Sequence, residues 1–414
     1  MLRAHSRLLV STALLTLCSS SLVQAQEPPP SPPPPAEEAP PPPAEEEPAK
    51  PLVTLSLFAD TYVSYNSSQS GSPVPYHRAF DNNTPYDPLA NFPTAQAAVP
   101  GDPPVPSTLG ARNGFGLSVL GLDASFDTGM VGATAFLRFG PSVPLYYAGD
   151  LGATGLDSVL GGYITVKPMA ELAIDAGYFG TIYGAEVLEN YVNFNYTRGA
   201  LYYAMQPFYH FGVKAAYTLS DMVTLRAMVV NGANNSVDEN DAPAVGLQLA
   251  LNDIGGVFDL SVGGFYETGD DSSWGIETFF DTVASLTLGD LVVLANFDYN
   301  INRSDGVTPE YSYWGVMGTV AYAFSPELGV AARGEYLSDP DNQVWSPAPG
   351  AAAFTDSFNL VTLTGTFDIK PLPHLILRPE FRYEMAADNI YADSDGGPTD
   401  TWFTAVLGLI ATTN

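Results

Sequence analysis

Four histidines, His5, His77, His210 and His374, and one cysteine, Cys18, are the side chains most often used for metal or nucleophilic chemistry. No two histidines stand at ligand spacing, and one thiol cannot build a metal site, so no bound metal and no cofactor are expected. Gly-x-Ser-x-Gly, His-Glu-x-x-His and phosphate-loop patterns are all missing, which argues against an enzyme. A barrel hydrolase would need His210 beside a Ser or Asp on a neighbouring strand; the plainer reading makes His210 a polar residue at the base of a loop. What remains is electrostatic chemistry. Arg138, Lys167, Lys214, Arg226, Arg333, Arg378 and Arg382 share a parity with Asp60, Glu171, Asp175, Asp259, Asp281, Asp298, Glu335, Asp368, Glu380 and Glu384, opposite to the apolar residues around them. Seven cations and ten anions on one face of alternating segments describe a wall that must meet water, since a charge facing lipid at mid-depth costs ~2–4 kcal/mol.

The elements that carry these charges follow from composition. The chain has 414 residues, 46% apolar and only 14% charged, with 45 acidic against 15 basic residues and a net charge of −30. A chain this acidic is a poor nucleic-acid binder, because it cannot displace counterions from phosphates. Beyond the first 20 residues the apolar runs are too short for a membrane helix, which needs ~20 residues. The pattern has period two instead. Val53, Leu55, Leu57, Val63 and Tyr65 oppose Thr54, Ser56, Asp60, Tyr62 and Ser64; Phe211, Val213, Ala215, Tyr217 and Leu219 oppose Gly212, Lys214, Ala216 and Thr218. Val361, Leu363 and Phe367 oppose Thr362, Thr364, Thr366 and Asp368; Leu375, Leu377, Phe381, Tyr383 and Met385 oppose Arg378, Glu380, Arg382 and Glu384. Such segments are strands between two different solvents.

Connections alternate in length. Short turns are expected at 127–129, 167–169, 220–221, 252–253, 289–290, 326–327 and 370–373, with long polar loops at 66–112, 141–155, 181–207, 233–243, 268–277, 301–311, 339–356 and 387–399. This predicts an all-β transmembrane antiparallel up-and-down barrel of about 16 strands over residues 52–414, in the cell outer membrane, with an aqueous lumen. Tyr62, Tyr65, Tyr178, Tyr266, Tyr299, Trp314, Tyr322, Phe324, Tyr336 and Trp402 fall near strand ends, where aromatic girdles sit. The chain ends Leu-Ile-Ala-Thr-Thr-Asn rather than on an aromatic residue, which leaves the register of the last strand open, with an overhang of three residues.

Residues 1–25 read as a secretory signal: Arg3 and Arg7, the apolar stretch Leu8 to Leu17, and Val23-Gln24-Ala25 before the cut. Residues 26–51 form a Pro/Glu-rich linker, with 13 Pro and six Glu between Glu27 and Pro51. Proline fixes φ and removes donors, so this segment should be extended, either a spacer or a periplasmic tether toward the cell wall.

The stretch Gly177 to Asn240 carries Gly177, Phe179, Thr181, Gly184, Glu186, then Asn193, Asn195, Tyr196, Thr197, Arg198, then Pro207, His210, Gly212 and finally Val229-Val230-Asn231-Gly232. This series resembles the OmpL-like β-barrel porin family. The resemblance implies an outer-membrane channel.

The third long loop is apolar for an exposed segment (Tyr183, Val187, Leu188, Tyr191, Val192, Phe194, Tyr196, Leu201, Tyr202, Tyr203) and has no Pro before Pro207. It should bury itself in the lumen. Glu186, Glu189 and Arg198 would then form a constriction with Arg333, Arg378 and Arg382 on the far wall, flanked by the lumen-facing charges Arg138, Lys214, Arg226, Glu335, Glu380 and Glu384. The alternative packs the loop over the rim. The expected activity is passive diffusion of small hydrophilic solutes with weak cation preference; the competing reading is a structural barrel that anchors the Pro-rich segment. Partners open to such a barrel are outer-membrane lipid and lipopolysaccharide (through divalent ions on the acidic loops), a second copy of the chain, and a periplasmic or cell-wall component at residues 27–51.

Overall fold

Sixteen antiparallel strands form a closed barrel in which each strand pairs with its neighbours in the chain and the last strand closes on the first. This computed structural model describes residues 52–67, 114–140, 158–238, 242–267, 277–302, 310–342, 357–393 and 397–413. The signal segment, the Pro/Glu linker, His5, His77 and the loop acids Glu239, Asp241, Asp270, Asp271 and Asp395 lie outside the described residues.

The first half of the wall is β1 (Val53–Asn66), β2 (Gly114–Asp127), β3 (Val131–Phe139), β4 (Val159–Met169), β5 (Leu172–Gly180), β6 (Tyr209–Ser220), β7 (Val223–Val230) and β8 (Ala244–Ile254). The second half is β9 (Phe258–Tyr266), β10 (Thr278–Leu288), β11 (Leu291–Asn302), β12 (Tyr311–Ser325), β13 (Leu328–Asp339), β14 (Phe358–Leu372), β15 (Leu375–Ala386) and β18 (Thr401–Thr412). Two pieces stand apart from the wall. A single-turn helix, α1 (Ala200–Met205), lies in the third long loop, and β16 (Tyr391–Ala392) pairs with β17 (Pro398–Thr399) in the last one.

Closure pairs the backbone polar groups of the wall between strands, as the hydrocarbon core demands. The faces sort by solvent. Val53, Leu55, Leu57, Val213, Leu219, Leu363, Phe367 and Phe381 are exposed on the outside, whereas Asp60, Ser64, Thr362, Thr364, Thr366, Glu380, Arg382 and Glu384 are buried within. Apolar outside and polar inside inverts a soluble protein.

Several expected positions shift. The turn expected at 167–169 lies at Ala170-Glu171, so Glu171 is an exposed turn residue and not part of the inner wall, and Lys167 reaches Asp127 near the same rim (2.7 Å). The turn expected at 252–253 lies at 255–257, where Gly255 and Gly256 take φ of 63° and 78°, and the one at 370–373 tightens to Pro373-His374. The physical reason is common to all three. The ladder slips its register just before the turn, between Val166 and Met169, Leu251 and Ile254, and Ile369 and Leu372. Bulges at a barrel rim admit residues that read as turn residues in a regular strand. Of the expected girdle, Tyr62 and Trp402 are buried on the lumen side, where Tyr62 faces Gly116 and Trp402 stacks on Tyr391. The C-terminus is settled by pairing: Thr412 is in register with Phe58, and Thr413 still donates from its nitrogen to Leu57 O (2.9 Å), so no three-residue overhang exists.

Candidate functional site

The loop between β5 and β6 turns into the barrel. Ala185, Val192, Tyr196 and the whole of α1 are buried and pack with Tyr313, Met317, Leu337, Phe358, Leu360 and Trp402 of the wall and rim, while Tyr183 is buried in a second cluster with Met228, Phe265 and Phe279. A segment this apolar gains by leaving water. The barrel interior offers the nearest surface that can also satisfy its backbone.

That satisfaction is supplied by wall carboxylates and amides. Glu380 accepts from the Tyr196 nitrogen (2.6 Å), the Thr197 nitrogen (3.0 Å), the Thr197 hydroxyl (2.5 Å) and the Thr366 hydroxyl (2.6 Å). Glu335 accepts from the Leu201 nitrogen (3.0 Å) and the Thr362 hydroxyl. Asn296 accepts from the Ala185 nitrogen (3.0 Å), and Asn300 donates to Met205 O (3.1 Å). Asp60 accepts from the Tyr196 hydroxyl (2.8 Å) and from the Asn190 amide. Irregular backbone inside a membrane barrel needs such partners, because an unpaired buried amide costs as much as a lost hydrogen bond.

The arginines complete the attachment. Arg333 donates from Nη1 to Glu186 Oε1 (2.5 Å) and to Thr197 O (2.7 Å). Arg382 donates to Arg198 O (2.6 Å) and to Glu384 Oε1 (2.6 Å), and Tyr391 donates to the second oxygen of Glu384 (2.5 Å). Arg378 donates to Asn190 O and to Asp368 Oδ1 (3.0 Å). Arg198 folds back within the loop, to Leu188 O (2.5 Å) and the Tyr203 hydroxyl (3.1 Å). Burial pushes the Glu186 carboxyl above the usual range, against the pull of the Arg333 guanidinium.

The structure thus brings Glu186 together with Arg333, and Arg198 with Arg382 through a backbone oxygen. It sends Glu189 elsewhere: Arg138 on β3 holds Glu189 (2.6 Å) and Asp123 (2.5 Å). Lys214 stands 3.5 Å from Asp175, and Arg226 donates to Gln248 (2.5 Å). His210 lies at the root of the loop, bonded to Gly232 O (3.0 Å) and the Thr181 hydroxyl (3.3 Å).

The anchoring amides were not legible as such. Asn190, Asn193, Asn195, Gln206 and Asn296 carry no charge. The signal available was the density of Asn within Glu189 to Arg198, which is odd for a segment so apolar. Asp281 and Asp298, both expected on the inner face, turn out to be directly opposite each other on β10 and β11, and Asn296 donates to both (3.1 and 3.0 Å).

Open volume remains on one side. A cavity of about 360 Å³ lies between the loop and the wall of β2–β7, lined by Arg138, Tyr163, Lys214 and Arg226 on the wall and Ile182, Tyr183, Val187 and Leu188 on the loop. A second, of about 300 Å³, lies toward the short turns, between Phe194 and the lower ends of β12–β15.

Comparison with known structures establishes the fold. Outer-membrane expressed OmpT of Vibrio cholerae shares 13% identity at a TM-score of 0.51, over 89% of this chain and 100% of that one. An anion-selective porin from Comamonas acidovorans shares 10% identity at 0.54, over 87% and 99%. The outer membrane channel DcaP of Acinetobacter baumannii shares 12% identity at 0.50, over 87% and 96%. A search of curated proteins finds no relative by sequence. The family model described as "Putative beta-barrel porin-2, OmpL-like" matches residues 53–412, the whole wall from β1 to β18. The chain belongs to this family of β-barrel porins and is an outer-membrane protein.

Proposed function

We propose that small hydrophilic solutes diffuse passively through this barrel, along the gap between the inserted loop and the β2–β7 wall. The observation that supports this is uneven docking. Most of the loop's bonds go to β1, β8–β11 and β13–β15; toward β2–β7, where the open cavity lies, Glu189 reaches across to Arg138. In this reading Glu186, Glu189, Arg198, Arg333, Arg378 and Arg382 set the constriction by fixing the loop. Arg138, Lys214 and Arg226 border the passage; Glu335, Glu380 and Glu384 hold the loop and its arginines. The chain is not an enzyme, and His210 braces the loop root.

The net charge of −30 gives the pore a weak cation preference by focusing the field at its mouth. Acidic loop residues such as Asp238, Asp341 and Asp393 bridge to lipopolysaccharide through divalent ions, and residues 26–51 lie in the periplasm. OmpT of Vibrio cholerae is described in a trimer form, and a homo-oligomer fits here too.

The density of docking favours a second reading, a plugged barrel that anchors the Pro-rich segment. Single-channel recording of the reconstituted full chain decides. Discrete conductance steps in potassium chloride are expected; inserted protein without steps would establish the anchor.

A further inference from the structure

The cavity beside β6 and β7 has two unlike walls. The loop side presents Ile182, Val187, Leu188 and the ring of Tyr183, and its two acids, Glu186 and Glu189, are drawn into ion pairs with Arg333 and Arg138. The strand side carries three bases and one acid, Asp123, and the bases are not equivalent. Arg138 already holds two carboxylates, Asp123 and Glu189. Lys214 has one, Asp175 at 3.5 Å, whose other oxygen is occupied by the Thr165 hydroxyl (2.6 Å). The Lys214 ammonium also lies over the rings of Phe179 (4.6 Å) and Tyr163 (5.3 Å), which hold it in place. Arg226 has no carboxylate within ion-pair distance among the described residues; its one hydrogen bond is Nη1 to Gln248 Oε1 (2.5 Å). A guanidinium carries five N–H donors in a planar fork that matches a carboxylate. Lys214 and Arg226 stand on the adjacent strands β6 and β7, two residues apart in register, and line the same cavity, so an anion beside them gains from both.

We propose that this cavity is a binding site for small organic carboxylates with an apolar body, the carboxylate on Arg226 and Lys214 and the body against Ile182, Val187 and Leu188. This names a solute class for the passage proposed above and rests on that reading. The volume, about 360 Å³, lies within the range of small-ligand sites. The neutral amide of Gln248 leaves the Arg226 charge uncompensated: it accepts from the guanidinium and donates to Ile182 O (2.5 Å), so it positions the arginine against the loop root.

The test is calorimetric titration of the detergent-solubilised full chain with benzoate, and with benzamide as the neutral isostere. It reads the site whether or not the barrel conducts, so a failed porin reading and a failed site are told apart. Benzoate should bind and benzamide should bind at least tenfold more weakly. Arg226→Gln and Lys214→Gln should each weaken benzoate at least tenfold while keeping the heat-modifiable gel mobility of a folded barrel. Lys167→Gln, at the rim and paired with Asp127, should leave benzoate binding unchanged. Absent benzoate heats, equal binding of benzoate and benzamide, or unaltered benzoate binding in both cavity variants would each overturn the site. In recordings that show conductance, benzoate should reduce the open current of the parent and not of Arg226→Gln.

Discussion

At the scale of single residues, the inner wall contains two kinds of buried charge with opposite responses to neutralisation. Arg333 is fully enclosed and serves Glu186, Thr197 and, at 3.4 Å, Glu335. Removing one partner of a buried ion pair leaves the other uncompensated, at about 3–5 kcal/mol. Arg333→Ala should therefore free the loop: limited proteolysis in detergent should cut between residues 186 and 203, where the parent resists. Equal resistance would mean that the carboxylate and backbone contacts of the loop suffice alone. Asp281 and Asp298 are the reverse case. Three of their four oxygens receive N–H donors, from Gly184, Asn296 and Gln206, and the fourth, Asp281 Oδ2, receives none. Like charges directly opposite on a ladder destabilise it. Asp281→Asn removes one charge and brings an N–H to the bare position, so the barrel should unfold at the parent temperature or above it on heat-modifiability gels. A clearly lower transition would show that the pair is held by more than its amide donors.

The third loop is the element that fills much of one side of the barrel interior, and two glycines show how closely it is seated. A Cβ on Gly408 of β18 would stand 2.3 Å from a ring carbon of Tyr196, and one on Gly199 would stand 2.2 Å from Glu335 Oε1. Gly408→Ala should therefore displace Tyr196 from Asp60 and raise the open-channel noise, with the barrel itself intact. Deleting residues 186–203 should raise conductance severalfold in a channel that still inserts; a deletion that conducts like the parent would show that the loop is not the constriction. Much of this element was legible in the sequence. Tyr183, Val187, Tyr191, Leu201 and Tyr202 are too apolar for a solvated loop, so burial follows from them, but the choice between the lumen and the rim does not. Strand faces were legible for the same reason, since period two sorts Leu363 from Thr364 without knowledge of neighbours. What the residues could not convey was pairing across the lumen. Glu189 meets Arg138 on β3, a partner fixed only once the path of the loop is known, and the opening beside β2–β7 depends on which wall carries Asn296, Glu335 and Glu380. Turn positions slipped where bulges intervened, because Pro168 and Asp253 read as turn residues in a regular ladder and sit in an irregular one.

For the whole molecule the question is which charges govern ion passage. The chain carries three acidic residues for each basic one, and many of the acids fall in the long loops. The cavity proposed as the passage, in contrast, borders on Lys214 and Arg226, and the loop acids that face it are paired, Glu186 to Arg333 and Glu189 to Arg138. The mouth and the narrow part therefore pull in opposite directions. They differ in how salt treats them. A mouth charge acts through water over a Debye length of ~10 Å at 0.1 M and ~3 Å at 1 M, whereas a partly buried cation is screened much less. At low salt the mouth should dominate, and the zero-current potential in a potassium chloride gradient should report modest cation preference. Raising the salt on both sides at a fixed ratio should shrink that preference. Arg226→Gln should enlarge it at every salt concentration, since it removes the opposing charge and leaves the mouth untouched. An anion-selective potential in the parent at low salt would place control at the β6–β7 wall instead. The fold likeness to an anion-selective porin does not prejudge this outcome, because at 10% identity the shared property is the path of the strands and not the charges along it.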